Sequence, residues 1–545
     1  MKKINILFIL LILFISFINL RSFFKPGIFR GHDLENHLAR IANYYLAIKD
    51  KQIPPRWAGN LNYKFGYPVF NYNYPLANIL AYPLIVIGLS IEDSLKLILF
   101  TAYFFSGLFF YLWLKKTFSS LAAFTGAIIY LGAPYVFLDL YVRGVVGENL
   151  SFALFPAILY FLKLLSEKIS SWRFLGLIFT VALFSLSHNI MVLIFSPLLL
   201  IYWFYLIKSV ANKQFFKLSL MGLGLGFLLT SFFWIPAIME QKYVNLEAFN
   251  QKNFYQDHFV YLKQLIYSPW QYGFSVAGDQ DTLSFQLGLA SWIVIIISFI
   301  LMVVGFKKRK KDWKIILVVQ IAFWTVIFFM LPVSKLFWQI IPFIGYLQFP
   351  WRLLGLSIFL TSILAAIISN KHALLGVLLA LISVIYAQQF TKPFLWDKKP
   401  DMDYYDFLFT TSTRHENMPR WFEENKTDQF KNRFISDSGL VGFREIKWLS
   451  GKHQYEIDVP RATTIWEHTA YFPGWQIFID QKKTEIRYDN SLYPGLVGFN
   501  VVAGKHQILT KFAENTPARI IGDFLTIASG ISTIFLFFKI KKTYA

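Results

Sequence analysis

Cysteine is absent from all 545 residues, which excludes disulfide scaffolding, thiol nucleophiles and thiolate metal sites. Charge is scarce too: Asp, Glu, Lys and Arg make up 16% of the chain, against roughly 25% in soluble domains. Three runs, 286–305, 315–331 and 373–387, hold no charged residue and no histidine. Internal repeats, low-complexity tracts and a P-loop are missing as well. The nearest approach to a glycine-rich cofactor loop, Gly222-x-Gly224-x-Gly226, sits inside an apolar stretch with no strand before it. It is expected to be a close helix-packing face.

What remains is apolar. Hydrophobic residues are 56% of the chain and aromatics 19%, the composition of an integral membrane protein. The net charge of +21 does not point to nucleic acid, because the basic residues are scattered between apolar runs rather than gathered on a polar domain. They read as topology signals and as contacts to anionic lipid.

Lys2 and Lys3 precede an apolar run from Ile4 to Leu20 with no small-residue cleavage site after it, so the run is expected to be a retained anchor with its start inside. The turn 307–314 carries six basic residues and one acid and is expected to be cytoplasmic. Alternating outward from it, Lys115-Lys116, 163–173 and 208–217 fall inside, whereas 135–149, 236–285 and 332–351 fall outside. The alternation requires that 76–90, short, preceded by Pro75 and containing Pro83, stay on the external side as a re-entrant or juxtamembrane helix. Roughly twelve crossings result, centred near 12, 106, 128, 156, 181, 199, 227, 296, 323, 360, 381 and 529.

Between the last two crossings the chain turns polar. Gln454–Val459 and Trp475–Asp480 alternate apolar and polar residues, punctuated by Pro473-Gly474, Asp489-Asn490 and Pro494-Gly495, which predicts a small β-sandwich-like domain outside the membrane. Residues 401–440 are expected to form a mixed helical lead-in. The predicted division is a helical transmembrane domain over 1–390 with an external loop at 21–96, an extracytoplasmic domain over 391–515, and a final helix with its tail over 516–545.

The densest cluster of chemistry is Arg30-Gly-His-Asp-Leu-Glu-Asn-His-Leu-Ala-Arg40, just beyond the first span. On a helix Asp33 and Glu35 diverge by about 200°, whereas Asp33, His37, Arg40 and Tyr44 share a face. Asp33 also suits the N-cap of a helix over 34–48, and Glu35 its first turn. The stretch 53–75 that follows is rich in Tyr, Trp and Pro. Its rings suit the membrane interface or sugar stacking, and Asn60, Asn62, Asn71 and Asn73 favour a polyhydroxyl ligand. Asp139, Arg143 and Glu148 lie at a second outside turn. Arg352 follows Gln348-Phe-Pro-Trp at another, where a guanidinium suits a lipid phosphate.

These motifs carry a resemblance. An N-terminal span, an external acidic motif, a second acidic loop and a C-terminal external domain resemble the GT-C membrane glycosyltransferases. More closely, His32-Asp-Leu-Glu-Asn-His37, Phe65-Gly-Tyr-Pro-Val-Phe-Asn-Tyr-Asn-Tyr-Pro75, Tyr141-Val-Arg-Gly144 and Gln348-Phe-Pro-Trp-Arg352 are similar to bacterial membrane proteins labelled 6-pyruvoyl-tetrahydropterin synthase-related. Despite that label, no soluble pterin-synthase zinc site is present. Tyr471-Phe-Pro-Gly-Trp475 with Thr516-Pro-Ala-Arg519 resembles the YfhO-type branch. The resemblance implies an all-α polytopic GT-C-like fold in the cell membrane. The implied activity is transfer of a sugar, with inversion, from a polyprenyl-phosphate donor to a cell-envelope glycan or glycolipid on the external face. It makes Asp33 the general base, with Glu35 as its partner or substitute and Glu148 as the second-loop acid. Arg143 and Arg352 become the donor-phosphate ligands; His37 and Arg40, which share the face of Asp33, are candidates for the same substrate and donor-phosphate binding and can tune the base. No cofactor or metal is indicated, and the partners are membrane lipid, donor and acceptor, without nucleic acid. No Trp-Trp-Asp motif occurs, which argues against an oligosaccharyltransferase, and the usual second-loop Asp is Glu here. The competing classes are a transporter or flippase of lipid-linked glycans, which would keep charge at the membrane midplane, and a non-catalytic envelope scaffold.

Overall fold

A computed structural model describes residues 2–245, 254–309, 313–341, 343–412, 415–423, 432–439 and 441–544. Parts of the basic turn 307–314, of the loop 236–285 and of the lead-in 401–440 lie outside these residues.

Every segment expected to cross is helical, yet fewer than twelve satisfy length and apolarity. Among the described residues eight helices do, and ten if each of two bent pairs counts as one span. The bent pairs are Ser120–Leu131 with Pro134–Arg143, at 48°, and Lys213–Leu228 with Ser231–Met239, at 62°. The helices centred near 12 and 181 are shorter, at Asn5–Asn19 and Ser171–Ser187. Leu76–Val86 is shorter still, with Pro83 inside it. The glycine stripe does pack helices: a Cβ on Gly222 would lie 2.8 Å from Leu177, and one on Gly226 would lie 2.6 Å from Val181, both on the Ser171–Ser187 helix.

The polar region folds as β-structure. Two short strands, β1 (Ile28–Phe29) and β2 (Trp396–Asp397), pair and tie the end of the last internal span to the start of the chain. Strands β4 (Gly442–Leu449), β5 (Lys452–Val459), β7 (Trp475–Ile479), β8 (Lys482–Thr484) and β10 (Gly504–Phe512) form one antiparallel sheet in the order β4-β5-β10-β7-β8. The second sheet contains β3 (Phe434–Ser436), β6 (Thr463–Ala470) and β9 (Leu496–Val501) in the order β3-β6-β9. Tyr455, Ile457, Ile477 and Ile508 from the first sheet share a core with Ile465, Trp466 and Phe499 from the second, as alternating strands of a sandwich should. In the lead-in, Asp401–Tyr405 is a short helix.

The loop after the first span is not an interfacial belt. Trp57 and Tyr67 are 1% and 0% exposed, and with Phe65, Phe70 and Tyr72 they join the sandwich core. Three of the four asparagines are internal ties: Asn60 Nδ2 donates to Tyr405 O at 3.2 Å, Asn62 Nδ2 to Gly66 O at 3.5 Å and Asn71 Nδ2 to Glu240 Oε2 at 2.9 Å. Aromatic and amide side chains serve an interface or a core equally well, and the β-domain covering this loop decides between them.

A buried ionic cluster joins the parts. Arg519 donates from Nη2 to Glu240 Oε2 at 3.1 Å and to Pro473 O at 2.8 Å, and from Nη1 to Ala513 O at 3.1 Å. Arg56 donates from Nη1 to Phe232 O at 2.7 Å and from Nε to Glu514 at 3.2 Å. Four regions meet there: the first loop, the Ser231–Met239 helix, the β-domain and the head of the Pro517–Thr543 helix.

Candidate active site

The site begins with a bend. After Pro134–Phe137 the backbone forms a π-helical turn over Leu138–Arg143, stopped by Gly144 at φ +68°. The Val146–Glu167 helix then starts. This turn presents Asp139 and Arg143 toward Glu148, one turn into the next helix. Arg143 pairs with Asp139, and its Nη2 lies 2.9 Å from Glu148 Oε1. Arg352, at the head of the Pro350–Lys371 span, reaches the same oxygen from Nε at 3.2 Å, and Tyr135 donates to Glu148 Oε2 at 3.1 Å. Asp139 and Glu148 are fully buried, and the two arginines neutralise them. Arg352 Nη1 donates to Leu347 O and Gln348 Oε1, both at 2.9 Å. Its Nη2 has no hydrogen-bond partner among the described residues. The guanidinia also lie over rings, Arg143 at 4.6 Å from Trp351 and Arg352 at 4.9 Å from Phe349, contacts that stabilise a desolvated cation.

The first acidic motif is laced to this turn by backbone. His32 N donates to Val142 O and Asp33 N to Arg143 O, each at 2.9 Å. The approach is close: a Cβ on Gly31 would sit 3.2 Å from Val142 O. Asp33 stands at the N-cap of the Leu34–Lys49 helix, as its sequence position predicts, but its side chain makes no cap hydrogen bond. Half-buried, its carboxylate has no hydrogen bond or ion pair among the described residues. His32 is held from the other side, stacked on Phe274 at 4.4 Å, with Nε2 3.2 Å from Tyr272 O.

The remaining sequence candidates separate. Glu35 points outward, its side chain 55% exposed and paired with Lys399 Nζ at 2.5 Å. Arg40 is buried, but its Nε donates to Thr411 Oγ1 at 2.9 Å, so it ties the helix to the lead-in of the β-domain. His37 is buried, and burial, with Arg40 in second place, holds its imidazole well below the usual range, so it is neutral.

Three residues that sequence reasoning did not single out complete the site. Tyr74 packs against His188 at 4.6 Å and His37 at 6.2 Å. Burial raises its phenol; Arg40 and Arg352 oppose the rise, and Asp33 and Glu148 add to it. His188 lies 4.0 Å from Glu148, and its Nδ1, like Asp139 Oδ2, has no hydrogen-bond partner among the described residues. Tyr74 was visible only as one ring among many, and His188 as a lone histidine between two apolar runs. Gly147 permits the packing, since a Cβ there would sit 2.4 Å from Ser187 O and 2.7 Å from Tyr74 Cε2. Gly147→Ala is therefore expected to cost about 1–3 kcal/mol through overpacking, to be read as a lowered thermal transition of the detergent-purified protein; an unchanged transition would contradict this packing.

Among the described residues no group of three or more His, Asp or Glu is arranged to hold a metal ion.

The model of the 6-pyruvoyl-tetrahydropterin synthase related domain, a membrane protein, matches residues 70–385, more than half of the chain. The chain belongs to this family. The matched span holds Tyr74, Asp139, Arg143, Glu148, His188 and Arg352, whereas Asp33 precedes it. An uncharacterized protein from Lactococcus lactis subsp. cremoris (strain MG1363) is 26% identical over 253 residues, 44% of this chain, and the chain spans 41% of that relative's length. The crystal structure of an Archaeoglobus fulgidus oligosaccharyltransferase in the apo form aligns with 76% of this chain and 56% of that one, at 12% identity and a TM-score of 0.45.

Proposed function

We propose that this membrane protein is an inverting glycosyltransferase that moves a sugar from a polyprenyl-phosphate donor to a hydroxyl of a cell-envelope glycan or glycolipid. The observation that carries the reading is a half-buried carboxylate without partners among the described residues, Asp33, fixed by its own backbone to the turn that holds Arg143 and reaches Arg352 through Glu148. A polyprenyl phosphate leaves without being protonated, so the chemistry needs one base and one cation. Asp33 takes the proton of the acceptor hydroxyl, whose oxygen attacks the anomeric carbon. The bond from that carbon to the phosphate oxygen breaks with its electron pair, and the free Nη2 of Arg352 receives the phosphate charge.

Glu148 has a different part from the one its sequence position suggests. With Arg143, Arg352 and Tyr135 on its two oxygens, it orients the guanidinia rather than reacting. Arg40 and Glu35, engaged by Thr411 and Lys399, lie outside the reacting set, and His37 supports Tyr74. The basic turns, by the positive-inside bias, support the external face as the side of this site. The cluster at the span heads, with none in the apolar runs, favours a transferase over a transporter.

Arg352→Lys tests the donor contact. It keeps the charge and loses the planar fork, so donor use should weaken about tenfold to a hundredfold, measured as the KM for a polyprenyl-phosphate sugar in membranes. Unchanged donor affinity in Arg352→Ala would remove Arg352 from the donor site.

A further inference from the structure

The end of the bundle away from Asp33 carries a cavity among basic segments. The Val146–Glu167 helix runs from the site to this end, a rise of about 30 Å. There a cavity of about 290 Å³ opens between three chain segments, lined by Glu167, Lys168 and Ile169 from the first, Asn212 and Phe215 from the second, and Tyr544 beyond the last helix. The three segments are strongly basic. Lys163, Lys168 and Arg173 lie in the first, Lys208, Lys213 and Lys217 in the second, and Lys539, Lys541 and Lys542 in the third, with Glu167 as the single acid among them.

That acid is already neutralised, because Glu167 takes Lys116 Nζ at 2.6 Å and Lys163 Nζ at 3.7 Å. Lys168, Lys213, Lys541 and Lys542 are exposed and have no ion pair among the described residues. Asn212 accepts from the backbone of Gln214 and Phe215, and its amide nitrogen has no partner among the described residues. A cavity lined by Lys168, with Lys213 next to its lining residue Asn212 and Lys541 and Lys542 within three positions of its lining residue Tyr544, and with a free amide donor, is complementary to an anion. Its depth is marked by Trp172, 70% exposed and edge-on to Phe537 at 5.0 Å, an amphipathic ring of the kind that settles at the headgroup level. The Pro517–Thr543 helix leading away from it exposes Ile531, Ile534, Phe535 and Phe538, an apolar flank for acyl chains.

We propose that this cavity binds the headgroup of an anionic phospholipid, its phosphate diester held by Lys168, Lys541 and Lys542 and its chains laid along the Pro517–Thr543 helix. The lipid thereby clasps the last helix to the turn that ends the Val146–Glu167 helix. This inference is independent of the glycosyltransferase reading.

The test is binding of short-chain phosphatidylglycerol to the detergent-purified full chain, followed by native mass spectrometry and titration, with phosphatidylcholine and inorganic phosphate as comparators. Saturable phosphatidylglycerol binding is expected, weakened about fivefold per lysine and so about a hundredfold in the triple variant Lys168→Gln/Lys541→Gln/Lys542→Gln. Lys307→Gln/Lys308→Gln, which removes charge from another turn, should bind as the natural chain does and shows that handling and folding are not at issue. Equal binding by the triple variant, equal binding of phosphatidylcholine, or an equal loss in the Lys307/Lys308 variant would each overturn the site. Inorganic phosphate binding as tightly as the lipid would overturn the lipid as occupant.

Discussion

Asp33→Asn is expected to slow sugar transfer by about 10²–10⁴, the usual contribution of a general base, while leaving the protein folded. The asymmetry follows from the geometry. Asp33 stands at an N-cap, where losing a side-chain bond costs about 1 kcal/mol, but it makes no such bond. Its backbone amide, which does hold Arg143 O, is untouched by the substitution. Stability should therefore stay within about 0.5 kcal/mol of the natural chain. Glu35→Gln removes only an exposed pair with Lys399 and is expected to leave the rate unchanged, exposed pairs being worth little. Activity in Asp33→Asn with loss in Glu35→Gln would reverse the two roles. Full activity in both would make the loop structural.

The largest loss of stability is expected from Arg519→Ala. Arg519 is 0% exposed and its partner Glu240 2%, and two backbone carbonyls depend on the same guanidinium. Phe512 at 4.7 Å and Phe472 at 5.6 Å close over the cation. Truncation leaves a buried carboxylate uncompensated, a defect that costs about 3–5 kcal/mol. Arg519→Met with Glu240→Gln removes both charges and should be milder than the single truncation. Thermal unfolding of the purified variants measures both. A single variant as stable as the natural chain would mean the cluster is not what joins the β-domain to the last helix.

Much of this architecture is legible in the sequence, for physical reasons. Apolar runs without charge can only be buried or lipid-facing, and period-two alternation in Gln454–Val459 reappears as the alternating burial of β5. Arg143, Glu148 and Arg352 stand out in the sequence as charges at outside turns to which the resemblance gives roles, and the fold brings them together although Glu148 and Arg352 are 204 positions apart. What sequence hides is pairing at long range. Nothing in the sequence marks Glu240 or Arg56 as partners of Arg519, Glu514 and Phe232, which the fold brings to them. Trp57 and Tyr67 read as interface anchors because nothing local announces that a domain more than three hundred residues later will cover them. Arg40 shares a helix face with Asp33, as spacing predicts, yet is claimed by Thr411.

The central claim, that Asp33 performs sugar transfer from a lipid-linked donor, is tested most directly by mass spectrometry of cell-envelope glycans and polyprenyl-linked sugars. Three strains would be compared: one lacking the gene, one complemented with the natural chain and one complemented with Asp33→Asn. The account predicts that the deletion and the Asp33→Asn strain lose the same envelope sugar and accumulate the same polyprenyl-phosphate sugar, with Asp33→Asn protein present in the membrane at normal level. Restoration of the glycan profile by Asp33→Asn would contradict it.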